Sequence, residues 1–398
     1  MLGWGVAFLL GEAMILGPGI AAGTLRDAML EEYLPFITLL LALYIAAGGV
    51  MVAGGPWGRP AGNVALLVAG TLLGGVIGTT AAAMTLIHPL LRANAHRSRK
   101  EHLVVFFVVL VANAGGALSP IGNPPLYVGF LEGVPFFWPL RRLAVPLLVL
   151  AVPLLVAFYL LDRHLAASDP PAPRRERFRL RGAANIGLIV VIAAGAMALG
   201  AQSASMALLG GRVAIGRLAS TLLCLAGGLV SVVITPRAVR QRNMFSWAPI
   251  IEVAELFAAI FITIPPVLAI LRAGPAGPLA GMFALVSNGA GKPVPAAYFW
   301  LSGLCSAFLD NAPTYLVFFG LAGNNPAELT GSLARTLVAI SAGSVFFGGL
   351  TYIGSAPNLL IRAIAAHRGV RMPGFFGYCA LAALVLAAPL LLVTWLAL

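Results

Sequence analysis

Charge is what this 398-residue chain has least of: Asp, Glu, Lys and Arg together make 10% of it, against about 25% in a soluble domain. A water-soluble protein of this size would have nothing to cover its surface with. Acid is scarcer than base, 13 residues against 25, for a net charge of +12. In a soluble protein that excess suggests nucleic acid. Here the basic residues sit in short loops between apolar runs, where they set membrane orientation, and no nucleic-acid partner is expected. Cysteine is nearly absent. Cys224, Cys305 and Cys379 lie in apolar stretches with no CxxC spacing, which excludes a disulfide framework and a zinc ribbon. The five histidines, His88, His96, His102, His164 and His367, do not cluster, so no metal-ligand set is expected and each reads as solvated or interfacial. No Walker A, GxSxG or HExxH motif occurs. ATP-driven transport and the common hydrolase chemistries are therefore not expected; the chain does not read as an enzyme, and no cofactor is expected.

What is abundant is apolar residue, 60% of the chain, with mean hydropathy +0.97. The apolar runs are about 18–25 residues long, the length of spanning helices rather than of barrel strands. The fold class read from this is an all-α polytopic membrane protein, its partner the lipid bilayer. Candidate segments are 4–23, 33–53, 63–91, 103–131 and 141–161, then, after a basic linker, 183–200, 217–235, 246–271, 296–320, 331–365 and 374–397. The first reads as a retained helix rather than a cleavable signal peptide. Three segments, 63–91, 103–131 and 331–365, are too long for a simple span and are interrupted by Gly, Pro, Asn or Thr.

Loop charge bears on this map. If 63–91 and 296–320 are re-entrant hairpins entering from opposite sides, seventeen of the 25 basic residues fall on one side, the cytoplasmic one by the positive-inside rule. That leaves nine full crossings with two hairpins. The halves also repeat. Ile121-Gly122-Asn123-Pro124-Pro125 and Ile353-Gly354-Ser355-Ala356-Pro357 share IGxxP at an offset of 232 residues, and the same offset lays Gly78-Thr79-Thr80 on Asp310-Asn311-Ala312. Halves that enter from opposite sides make an inverted-topology repeat: 1–161, a cytoplasmic basic linker 162–182, and 183–398. The second half has one more helix before its hairpin, so a helix is expected to be missing before Met1.

A helix interrupted within the membrane leaves unpaired N–H and C=O groups, tolerated where they line a cavity or coordinate something. Asp310, deep in an apolar segment, is costly unless it faces a cavity. At a hairpin tip it can exchange Na⁺ for a proton, or cap the second half-helix, and the two roles are compatible. Glu252 and Glu255, three apart on one helix face, are proton-coupling candidates beside Asp310; alternatively they snorkel toward Arg237, Arg240 or Arg242. Glu12 is a further intramembrane acid.

The stretch Asn113-Ala114-Gly115-Gly116-Ala117-Leu118-Ser119-Pro120-Ile121-Gly122-Asn123-Pro124-Pro125, with Ser306-Ala307-Phe308-Leu309-Asp310-Asn311-Ala312-Pro313-Thr314 and Thr351-Tyr352-Ile353-Gly354-Ser355-Ala356-Pro357-Asn358, resembles the citrate-transporter and sodium:proton antiporter group of the ion transporter superfamily, alongside the divalent anion–sodium symporters and arsenite permeases. The resemblance implies two inverted repeats, each with a hairpin and an unwound helix meeting at the substrate site, within a homodimer. The superfamily's Ser-Asn-Thr hairpin tips fall on Gly78-Thr79-Thr80 and Asp310-Asn311-Ala312, neither of which keeps that sequence. The expected ion- and substrate-binding residues are Asp310, Asn311, Thr314, Thr79, Thr80, Gly122, Asn123, Gly354, Ser355 and Asn358, with Na⁺ at Asp310 and Asn311. The expected activity is Na⁺/H⁺ antiport by alternating access, with a Na⁺- or H⁺-coupled citrate or dicarboxylate symporter as the alternative. The expected location is a bacterial-type inner (plasma) membrane.

Overall fold

The computed structural model describes residues 14, 17–53, 58–170, 179–200, 202, 204–208, 211–243, 245–248, 250–251, 254–255, 258, 261–262, 277, 281, 284–288 and 292–398. In chain order its helices include α1 (Pro18–Asp27), α2 (Leu34–Gly48), α3 (Pro60–Ile77), α4 (Thr79–Ala93), α5 (Glu101–Leu110), α6 (Pro124–Leu131), α7 (Trp138–Ala166), α8 (Ala183–Gly200), α9 (Ile215–Ile234), α10 (Arg237–Arg242), α11 (Pro295–Leu309), α12 (Asn311–Leu321), α13 (Pro326–Thr330), α14 (Ala334–Phe346), α15 (Ala356–His367) and α16 (Phe375–Leu396). Among the described residues, strand is confined to four segments of three or four residues, of which Ser205–Leu208 and Gly211–Ala214 pair antiparallel. Seven helical stretches among them are long and apolar enough to cross a membrane, Ala21–Gly48 included. The protein is an all-α polytopic membrane protein. Segment 4–23 lies mostly outside the described residues; from Pro18 it continues through a π turn, Ala28–Tyr33, directly into α2.

Two compact units each take one piece from either half of the sequence: Met1–Met51 with Arg181–Ala273, and Val52–Leu180 with Gly274–Leu398. In the first unit α2 packs on α8 and α9. The carbonyls at the end of α2 have no helical partners and are met by side chains instead. Asn243 Nδ2 donates to the Gly48 and Val50 oxygens at 2.8 and 2.9 Å, and Arg240 donates to the Ile45 oxygen at 3.0 Å. Asn185, fully buried, bonds Thr235 and Ser231 at 2.9 and 2.7 Å.

The second unit is built around α5. Every residue from His102 to Leu110 is buried, and those from Leu103 on are all apolar, as suits a helix inside a bundle. By contrast α16 presents Leu384, Leu391 and Trp395 outward, the last 87% exposed. Apolar surface of that kind belongs against lipid. At one end of α7, Asp162 is completely buried and accepts from Arg97, from His102 Nε2 at 2.9 Å and from Asn63 Nδ2 at 3.0 Å. Burial of this carboxylate is tolerable because its oxygens are filled.

Candidate functional site

Two helices in the second unit are broken by a single residue. α3 stops at Gly78 (φ 89°, ψ 145°) and α11 stops at Asp310 (φ 72°, ψ 152°), 232 residues later. This is a backbone region that glycine enters freely and other residues enter at a cost of about 1–3 kcal/mol. Aspartate holds it by capping α12. Its Oδ1 accepts from the Asn311 N–H at 2.7 Å, and its carbonyl accepts from Thr314 Oγ1 at 2.8 Å. Asn311 and Thr314 are buried, as is Thr79, while Asp310 and Thr80 are half-buried.

Two further helices unwind opposite these breaks. After α5 the chain passes through a 3₁₀ turn, Ala114–Leu118, and restarts at α6 with Asn123 extended. After α14 it passes through Phe347–Leu350 and restarts at α15 with Ser355 extended. The stitching matches residue for residue at the 232 offset. Ser119 Oγ donates to the Gly75 oxygen at 2.5 Å and accepts from the Gly122 N–H at 3.1 Å. Thr351 Oγ1 donates to the Ala307 oxygen and accepts from the Gly354 N–H at 2.9 Å. Gly354 is required by close approach: a Cβ there would lie 2.7 Å from the Gly348 oxygen and 2.9 Å from that of Ala307.

The dipeptide Gly122–Asn123 touches both breaks. The Gly122 oxygen accepts from the Thr79 N–H at 2.9 Å, and Asn123 Oδ1 accepts from Asn311 Nδ2 at 2.7 Å. From there a chain of buried amides continues. Asn123 Nδ2 donates to the Asn113 oxygen at 3.4 Å, Asn113 Nδ2 to Asn358 Oδ1 at 3.0 Å, and Asn358 Nδ2 to the oxygens of Gly348 and Thr351 at 2.8 and 2.9 Å. Asn358→Ala would strand those two carbonyls in a site with no exposure. A loss of about 1–3 kcal/mol is expected, read as a lower unfolding temperature in detergent; an unchanged one would show that the amide chain is not structural. The donors gathered here are neutral oxygens beside one carboxylate, a set suited to a hard cation rather than a soft metal.

Nine of the expected residues therefore belong to one polar cluster: Asp310, Asn311, Thr314, Thr79, Gly122, Asn123, Gly354, Ser355 and Asn358. Thr80 adjoins it in sequence. Glu255, in the other unit, is exposed, and Glu252 and Glu12 lie outside the described residues. The histidine expectation fails at two positions. His88 and His102 are 3% and 8% exposed, because each has a polar partner, Arg368 and Asp162 respectively. Sequence reasoning missed Asn113, Ser119 and Thr351 as site residues, although each lies in a stretch that carries the family resemblance. It also missed Asp162, whose partners are 60–99 residues away and leave no local signal.

A family model described as "Putative citrate transport" matches residues 1–398. No curated protein matches the chain.

Proposed function

We propose a coupling mechanism from one premise: the chain belongs to this citrate-transport family and is a multi-pass membrane transporter. In this reading it is a secondary transporter that exchanges Na⁺ for protons by alternating access, with Asp310 as the exchangeable carboxylate. The observation that carries the reading is Asp310 itself. A residue that pays backbone strain to hold a half-buried carboxylate at a helix break, where its counterpart is glycine, is retained for its charge. Asn311, Thr79, Thr80 and the carbonyls around Gly122–Asn123 and Gly354–Ser355 complete the oxygen shell. A proton and Na⁺ compete for the same carboxylate, and that competition couples the two flows.

The same reading makes the halves an inverted repeat with two re-entrant hairpins. In support, the hydrogen bonds of Ser119 and Thr351 and the backbone of Gly78 and Asp310 recur at one offset. In further support, α11 and α12 have 15 and 11 residues, about 22 and 17 Å of helix, short of the roughly 30 Å hydrocarbon core. Together they dip in and return rather than cross twice. A homodimer is proposed as the assembly.

The second reading, Na⁺- or H⁺-coupled citrate or dicarboxylate symport, is favoured by the family description; bound Na⁺ would neutralise Asp310 and admit the anion. Flux into proteoliposomes separates the two. An imposed Na⁺ gradient that moves protons without citrate supports exchange. Cation-dependent uptake of labelled citrate with no Na⁺-driven proton movement overturns it in favour of symport.

A further inference from the structure

The two breaks differ in one hydrogen bond. At the first, the Thr79 N–H donates to the Gly122 oxygen at 2.9 Å. The matching pair at the second is the Asn311 N–H and the Gly354 oxygen, but there the N–H donates to Asp310 Oδ1 at 2.7 Å. The Gly354 oxygen accepts from no donor among the described residues. A carbonyl left over in this way suits a cation. The hairpin holds only the other side of the residue, through Thr351 Oγ1, which joins the Gly354 N–H to the Ala307 oxygen. Where the carbonyl points then depends on the rest of the unwound segment, 347–355. We propose that Tyr378 is a positioning residue for the coupling site, holding this segment so that the Gly354 oxygen stays in the Na⁺ shell. The role rests on the exchange reading, in which that carbonyl is a ligand.

Tyr378 lies in the first turns of α16 and is completely buried. Its hydroxyl donates to the Gly349 oxygen at 2.9 Å, within the turn where the helix unwinds. Its ring stacks on that of Tyr352, with centroids 4.0 Å apart and planes 22° from parallel. Tyr352, also buried, stands two residues before Gly354, and its own hydroxyl donates to the Pro373 oxygen at 3.0 Å, just before α16. One side chain thus grips the unwound segment at 349 by a hydrogen bond and at 352 by ring contact, on either side of Thr351. The first break, where Gly122 has its hairpin donor, has no such clamp. At the 232 offset Tyr352 and Tyr378 fall on Pro120 and Pro146, which carry neither hydroxyl nor aromatic ring. The clamp therefore occurs at the break whose hairpin donor is spent on the carboxylate. A hard cation needs several oxygens around it, whereas a proton needs only the Asp310 carboxylate. Loosening the segment should weaken Na⁺ binding and leave protonation alone.

The test measures Na⁺-driven proton flux in proteoliposomes over a range of Na⁺ concentration and pH. This separates the Na⁺ half-saturation at alkaline pH from the pH at which protons begin to compete. Tyr378→Phe keeps the ring and removes the hydroxyl. It is expected to raise the Na⁺ half-saturation about threefold to tenfold, with the maximal rate within about twofold of wild type and the competition pH unmoved. Tyr352→Leu removes the stack and leaves the Gly349 bond. It should shift the half-saturation in the same direction, and it decides the matter if Tyr378→Phe does not fold. A tyrosine that only supports the fold would lower the unfolding temperature and leave the half-saturation alone. The role is overturned by a wild-type Na⁺ half-saturation in either folded variant, or by a competition pH that moves as far as the Na⁺ affinity does. If wild type takes up labelled citrate with Na⁺ and moves no protons, the exchange reading fails by itself, and the positioning role is read from the Na⁺ half-saturation of citrate uptake. If wild-type transport of neither kind depends on Na⁺, both fall.

Discussion

Asp310→Gly is expected to abolish coupled flux while leaving the protein as stable as wild type or more so. The two effects separate because the residue's backbone and its side chain do opposite things. At φ 72° and ψ 152° an L-residue is strained by about 1–3 kcal/mol, and glycine relieves that strain, as Gly78 does at the other break. Against it stand the greater unfolded-state entropy of glycine, about 0.5–1 kcal/mol, and the lost cap on the Asn311 N–H, about a few tenths of a kcal/mol when the replacement is glycine. The balance runs from about zero to about 2 kcal/mol of added stability. Transport has no such compensation, since the variant offers no carboxylate for Na⁺ or a proton. Asp310→Asn keeps the shape and removes the charge, and should also reduce Na⁺-driven proton movement to the level of empty vesicles. Wild-type exchange in either variant would remove Asp310 from the mechanism. A glycine variant that unfolds at markedly lower temperature would show that the strain argument is wrong.

The largest effect on stability is expected at Asp162. Its side chain has no exposure and that of Arg97 has 1%. Asp162→Ala leaves the buried Arg97 guanidinium with the Gly58 oxygen, at 3.2 Å, in place of a carboxylate, and takes the acceptor from His102 and Asn63. Breaking a buried pair from one side costs about 3–5 kcal/mol, enough to lower the yield of monodisperse protein in detergent. Replacing the pair together, Asp162→Leu with Arg97→Met, removes both charges and should recover most of the loss, because a buried ion pair contributes little net stability over apolar packing. If the alanine variant unfolds at the wild-type temperature, the network is not what holds α7 to the loop after α4. If the double variant is as unstable as the single one, the network's hydrogen bonds matter more than its charge balance.

These two aspartates show what could be read in advance. Asp310 was legible because a lone carboxylate in an apolar run, followed by Asn-Ala-Pro-Thr, is a local anomaly. Asp162, beside Arg163 and His164, reads from sequence as the start of the basic linker 162–182, since the partners that bury it at the end of α7 are contributed by other segments of the chain. Asn113 likewise is one polar residue among several until α14 and α15 bring Asn358 to it. The way each unit draws on both halves of the sequence is also invisible locally, because which helices pack together depends on side-chain complementarity across hundreds of residues.

By itself the sequence determined the solvent, the helical class, the places where helices break, and the acid at one of those breaks. Each follows from hydropathy, length and local backbone preference, which are properties of short stretches. Only the tertiary structure decided that Gly122 and Asn123 reach the two different breaks, that four asparagines join in one chain of hydrogen bonds, and that buried His88 accepts from Arg368 through Nδ1. Those are facts about pairs of groups distant in the chain. A hydrogen bond needs its donor and acceptor within about 3 Å, and only packing brings them there.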